Sequence, residues 1–242
     1  MYRLSLRGSA LAALLLCSGV SVAQMFHLAD DFSATQNGGA NPWSYGSTTT
    51  IGGAFTAFTV QTAGPWISAS TVGWNGEDTF NGTNTGLPYY PFILKNTSSS
   101  DIVFDGNAGP GSNLTLPAGK VFFHGSSARQ AVIRLTVPTG AGNVYNGSVT
   151  FRRLQTASTS YSQFVAVQKN ASTLDSIFLS GNGSSITFNL NSLPLLDGDT
   201  LDFLVAADPD DSGGTIGVEA EIQAVPEPAS LLAFGLGAAA LR

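Results

Sequence analysis

The stretch Gln130-Ala131-Val132-Ile133-Arg134-Leu135-Thr136-Val137 alternates with a period of two. In an extended chain successive side chains point to opposite faces. Ala131, Ile133, Leu135 and Val137 therefore share one face, and Val132, Arg134 and Thr136 share the other. The same period recurs downstream. Val149 and Phe151 alternate with Thr150 and Arg152, and Phe164-Val165-Ala166-Val167 is a short apolar run. Ile186, Phe188 and Leu190 alternate with Thr187 and Asn189; Leu201, Phe203 and Val205 follow an Asp197-Gly198-Asp199 turn; Val218, Ala220 and Ile222 alternate with Glu219, Glu221 and Gln223. Turn formers separate these runs at Pro138-Thr139-Gly140, Gly181-Asn182-Gly183 and Ser212-Gly213-Gly214. Upstream, residues 55–60, 66–70, 92–95, 102–104 and 121–123 also read as strands, joined by longer loops that carry all three tryptophans. No helix of useful length is expected. Many short strands with regular turns specify an all-β fold: a single β-sandwich, jelly-roll-like, over residues 24–224.

Composition supports a packed domain. Hydrophobic residues make up 43% of the chain and charged ones only 11%, so hydroxyls and amides rather than charges face solvent. With Arg3, Arg7, Arg242 and Glu227 set aside, the body keeps seven basic and fifteen acidic residues, a net charge near −8. Such a charge repels phosphate backbones and argues against nucleic acid as a partner. Cys17 is the only cysteine, so the body has neither a disulfide nor a thiol site.

The two ends read differently from the body. Arg3 and Arg7 precede a short apolar run, Ala10 to Leu16, and a small-x-small site, Ser21-Val22-Ala23. This is the pattern of a signal peptide over residues 1–23, cleaved between Ala23 and Gln24 by signal peptidase, and it is too short to be a membrane span. Leu16, the residue before Cys17, is not small, which disfavours lipid attachment there. At the other end Val225-Pro226-Glu227-Pro228-Ala229-Ser230 leads into an apolar Gly/Ala/Leu segment and Arg242. Prolines keep the entry extended, and the apolar run can enter lipid as a short helix with its terminal arginine on the cytoplasmic side.

The Pro226-Glu227-Pro228 triplet, the apolar run and the terminal arginine resemble the PEP-CTERM sorting tail, here residues 225–242. The run from Leu231 to Leu241 is eleven residues and ends on one arginine, shorter than the family's usual tail. The resemblance implies transient inner-membrane anchoring, processing by an exosortase, and delivery to the cell surface or extracellular matrix of a Gram-negative bacterium that makes exopolysaccharide. Asp30-Asp31-Phe32-Ser33 followed by Asn41-Pro42-Trp43-Ser44-Tyr45-Gly46 is similar to the opening of many such surface proteins, as is the Gly198-Asp199-Thr200-Leu201-Asp202-Phe203 turn to their sandwich bodies. The group is named by its tail, and membership implies no activity.

Candidate chemistry in the body is sparse. His27 and His124 are its only histidines, and no Gly-x-Ser-x-Gly elbow accompanies them. His124 ends an apolar strand, where a structural hydrogen bond is expected. Glu219 and Glu221 share one strand face, as paired carboxylates do in jelly-roll glycosidases, or as they do on any solvated face. Asp208, Asp210 and Asp211, with Asp197, Asp199 and Asp202 upstream, offer oxygens of the kind Ca²⁺ takes, without EF-hand spacing. Trp43, Tyr45, Trp66, Trp74, Tyr89 and Tyr90 cluster in the loop-rich half. They suit either stacking on sugar rings or closing a core beneath long loops. Six Asn-x-Ser/Thr triplets, at Asn81, Asn96, Asn113, Asn146, Asn170 and Asn182, reflect Asn/Ser/Thr-rich loops. The expectation is a non-catalytic exported protein that contacts extracellular polysaccharide. The alternatives are a secreted glycan-active hydrolase and a purely structural coat component.

Overall fold

The computed structural model describes residues 23–63, 69–78, 90–104, 114–126, 128–154, 162–206 and 214–225. In chain order its elements are β1 (Met25–His27), α1 (Leu28–Asp31), β2 (Trp43–Thr48), β3 (Thr56–Ala57), β4 (Val60–Ala63), β5 (Thr71–Asp78), β6 (Tyr90–Asn96), β7 (Ile102–Phe104) and β8 (Leu114–Leu116). They continue as β9 (Val121–His124), β10 (Gln130–Thr136), β11 (Val144–Arg153), β12 (Ser162–Lys169), β13 (Ser172–Ser180), β14 (Ser185–Pro194), β15 (Thr200–Val205) and β16 (Ile216–Ala224).

Two antiparallel sheets face each other. One runs β14-β11-β16-β9-β6-β5-β4, with β1 added against β16; the other runs β13-β12-β15-β10-β2-β3. From β9 onward the chain crosses repeatedly between them: β9, β11, β14 and β16 lie in the first sheet and β10, β12, β13 and β15 in the second. The expected β-sandwich is therefore present. Alternation decides which side chains fill it. Ala131, Ile133 and Leu135 of β10, Leu201, Phe203 and Val205 of β15, and Val218, Ala220 and Ile222 of β16 all pack in one core. Each large apolar side chain buried there contributes about 1.5–3 kcal/mol. Glu219, Glu221 and Gln223 point outward and are exposed.

Both outer faces carry smaller apolar clusters. The β7–β8 hairpin and Leu154 cover Phe92, Leu94 and Phe122 of the first sheet. On the second sheet Val132, Ala166 and Leu204 lie in register across β10, β12 and β15, flanked by Phe55 and Phe164. Phe55 reaches over Gly46, where an added Cβ would sit 2.6 Å from its ring. Beside this cluster Arg134 and Asp202 make a two-pronged ion pair at 2.7 and 2.8 Å, with the guanidinium 4.2 Å from the Phe55 ring.

The sandwich has two dissimilar poles. Gln24 accepts a hydrogen bond from the N–H of Ala224 at 2.8 Å, and Met25 pairs with Gln223. The chain thus enters and leaves its body side by side, at what we call the tail pole. At the opposite pole β5 ends and β6 begins, β11 ends and β12 begins, and β15 ends and β16 begins. The segments 79–89, 155–161 and 207–213 therefore connect strands that end at this far pole.

Candidate functional site

Three of the aromatic candidates are core rings. Trp43 and Tyr45 are fully buried, and Trp74 is 6% exposed. Trp43 packs against Phe203 with ring centroids 6.0 Å apart, and its Nε1–H donates to Asp31 at 3.3 Å. Tyr45 lies against Phe32, and its hydroxyl accepts the Ser33 N–H at 3.3 Å. Burial holds that phenol neutral by pushing its ionisation upward, with the Ser33 bond acting weakly the other way. Trp74 donates to the Ser33 carbonyl at 2.8 Å. These bonds tie the 28–37 segment to the edge of the sandwich. A buried ring offers no face to a sugar, so Trp43, Tyr45 and Trp74 are corrected from platform to core. Tyr90 opens β6, while Trp66 and Tyr89 lie outside the described residues.

The acidic candidates separate in the same way. Asp202 is committed to Arg134. Asp197 accepts the Gly140 N–H at 3.1 Å. Asp199 accepts from the Leu196 N–H and the Asn170 amide and lies 3.3 Å from Lys169; the first two bonds, with the lysine, hold its carboxyl below the usual range. Each of these aspartates organises a turn or a ladder and is not placed as a cation ligand. Asp208, Asp210 and Asp211 lie outside the described residues, as do Pro226, Glu227 and Pro228. Among the described residues no three acidic, histidine or cysteine side chains converge on one point.

Glu219 and Glu221 share the outer face of β16. Lys120 reaches Glu219 at 2.8 Å, and His27 lies 3.7 Å from Glu221. Glu221 also borders a groove of about 290 Å³ beside Met25, Asn146 and Ser148 at the tail pole. His124 is structural: it is 4% exposed, its Nε2 accepts the Gly214 N–H at 3.2 Å, and its Nδ1 contacts the Gly125 carbonyl. Nε2 as acceptor leaves the proton on Nδ1. Burial drives its pKa down to about 4, against a smaller upward pull from Gly125, so the ring is neutral at pH 7.

The far pole holds a feature that residue patterns did not single out. A cleft of about 230 Å³ opens between the two sheets, lined by Ser47, Thr56, Phe58, Thr59, Gly76 and Arg129. Asn75 also borders it, and its buried Oδ1 has no hydrogen-bond partner. Thr48 and Gln130 pair beside it at 3.1 Å. Hydroxyls of β2, β3 and the β3–β4 link meet the Asn75 amide of β5 and the Arg129 side chain here, a convergence that only the pairing of strands far apart in sequence creates.

The described residues therefore form an antiparallel β-sandwich with Gln24 and Ala224 side by side at one pole and a cleft between the sheets at the opposite pole. Residues 224–242 match the PEP-CTERM protein-sorting motif, so the chain carries the sorting signal of an exported protein that is processed at the membrane. No curated protein matches the sequence. Among solved structures, CBM51 from Clostridium perfringens GH95 in complex with methyl-galactose is similar at 10% identity over 82% of this chain and 99% of its own, with a TM-score of 0.37. The CBM36-1 domain of a multidomain xylanase from the hindgut metagenome of Trinervitermes trinervoides is similar at 8% identity over 54% and 89%, with a TM-score of 0.31. A CBM36 in complex with calcium and xylotriose is similar at 14% identity over 51% and 87%, with a TM-score of 0.27.

Proposed function

We propose that this is a non-catalytic protein of the cell surface or extracellular matrix, held by its tail pole and contacting extracellular polysaccharide at its far pole. One observation carries the reading. The sorting motif follows directly on β16, whose end pairs with β1, so a tether there leaves the opposite pole facing away from the membrane. That pole offers the cleft between the sheets, where Ser47, Thr56, Thr59, Asn75 and Arg129 sit beside the apolar Ala57 and Phe58. Sugar hydroxyls both donate and accept, and Ser47, Thr56 and Thr59 match that chemistry without a charge requirement. The exosortase that the motif implies would act beside the tail pole, where the motif follows β16.

The test is binding of the secreted protein to its host's exopolysaccharide and to a panel of neutral and acidic glycans, with reducing sugar assayed in parallel. The reading expects saturable binding and no release of reducing ends. Binding abolished by a chelator would bring in Ca²⁺ and the Asp208–Asp211 segment. Steady release of reducing ends, lost in Glu219→Gln or Glu221→Gln, would replace the reading with the hydrolase alternative.

A further inference from the structure

One edge of the second sheet is formed by β13. Among the described residues β13 ends the strand order and pairs only with β12. Three of its apolar side chains are exposed: Leu174 (43%), Ile177 (42%) and Phe178 (64%). An edge strand offers a row of unpaired backbone groups, and proteins commonly blunt it with charges, prolines or bulges. Here the blunting is confined to the start of the strand. The register with β12 shifts at Val167/Gln168, opposite Leu174, and Asp175 is the strand's only charge. Beyond it, Ser176-Ile177-Phe178-Leu179-Ser180 has no charge, proline or glycine.

That segment reads the same in both directions: serine, aliphatic, phenylalanine, aliphatic, serine. The Ser176 N–H donates to the Asp175 carboxylate at 2.8 Å and is not spent on β12, so it points outward. By alternation the N–H groups of Phe178 and Ser180 point outward with it. A second copy running antiparallel about a two-fold axis at Phe178 brings outward groups opposite outward groups. Phe178 then faces its counterpart, Ser176 faces Ser180 of the second copy, and Ile177 faces Leu179. The Phe178 pair exchanges two N–H···O bonds, and each Ser176–Ser180 pair gains the one donated by the Ser180 N–H, since Asp175 holds the Ser176 N–H. Phe178 is already braced edge-on by Phe164, with centroids 5.1 Å apart at 64°, so four rings would close over the axis.

We propose that the protein self-associates through β13, as an isologous antiparallel pair centred on Phe178, joining the second sheets of two copies into one. The occupant of this edge is a second copy because the segment is its own complement in register, polarity and hydrogen-bond parity. Tethering to one membrane raises the local concentration and favours such a contact.

The test uses the secreted protein. Light scattering should give twice the monomer mass, falling to monomer mass in Phe178→Lys; Phe178 is exposed, so this variant should fold, which thermal unfolding checks. Cys17, the one native cysteine, lies ahead of the expected cleavage site. Ser176→Cys and Ser180→Cys variants, mixed and oxidised, should yield a cross-linked dimer that neither yields alone, because the axis places each residue opposite the other. A monomer at every concentration overturns the proposal. So does a dimer that survives Phe178→Lys, or cross-linking as efficient in either variant alone as in the mixture.

Discussion

Acid should unfold this protein through one ring. His124 is neutral in the fold, with its pKa lowered to about 4 from the ordinary value of 6.5. In the unfolded chain the same imidazole takes up a proton near pH 6.5, so between the two values the unfolded state binds more protons. Stability therefore rises with pH through that window, and it is lost as pH falls from about 6.5 toward 4. The difference corresponds to about 3 kcal/mol between pH 7 and pH 4, a large share of a typical domain's stability. Asp199, whose carboxyl is held low, contributes in the same direction but below its ordinary pKa of 3.8, so the two effects fall in different windows. The assay is urea unfolding followed by the fluorescence of buried Trp43 and Trp74 at intervals from pH 7.5 to 4. The comparison is His124→Asn, which can accept from Gly214 and donate to Gly125 but does not titrate. The variant should be weaker at pH 7, yet its stability should change less between pH 6.5 and 4, by about one proton's worth of slope. Equal acid sensitivity in both proteins would refute the reasoning, as would a measured His124 pKa near 6.5.

Trp43→Ala should cost about 3–5 kcal/mol, since a fully buried indole is lost and Asp31 gives up its donor; chemical unfolding measures it. Asp202→Ala should cost about 3 kcal/mol or more, because it strands the Arg134 guanidinium, and Arg134→Met in that background should recover part of the loss. Lys120→Ala, which breaks an exposed pair with Glu219, should shift unfolding by less than about 1 kcal/mol.

Where one strand face is buried and the other wet, the fold was legible in the sequence. β14 and β16 show this alternation in their burial, and in β10 and β15, covered on both faces, Arg134, Thr136 and Asp202 mark it in the sequence; the inward residues of all four are the ones the period selects. Strands without that contrast were not legible. β2 is buried on both faces over most of its length, so Trp-Ser-Tyr-Gly-Ser-Thr shows no polar stripe. β13 is exposed on both faces except at Leu179, so no hydrophobic face marked it. The aromatic cluster stayed open between core and platform because composition does not say which way a ring points. A signal was present nonetheless: Trp43 and Tyr45 are two residues apart, which puts both on one face of any strand they occupy. The cleft at the far pole could not be read at all. Ser47, Thr56, Gly76 and Arg129 meet only through the pairing of strands far apart in sequence.

If the pole opposite the tail is the contacting surface, polysaccharide perturbs that pole and leaves the tail pole alone. Chemical-shift mapping of the isotope-labelled secreted protein, titrated with its host's exopolysaccharide, tests it most directly. The account expects saturable shifts confined to the far pole, at Ser47, Thr56, Gly76 and Arg129, with Met25, Thr139 and Gln223 at the tail pole unmoved. Shifts concentrated at the tail pole, or none at saturating polysaccharide, would contradict it.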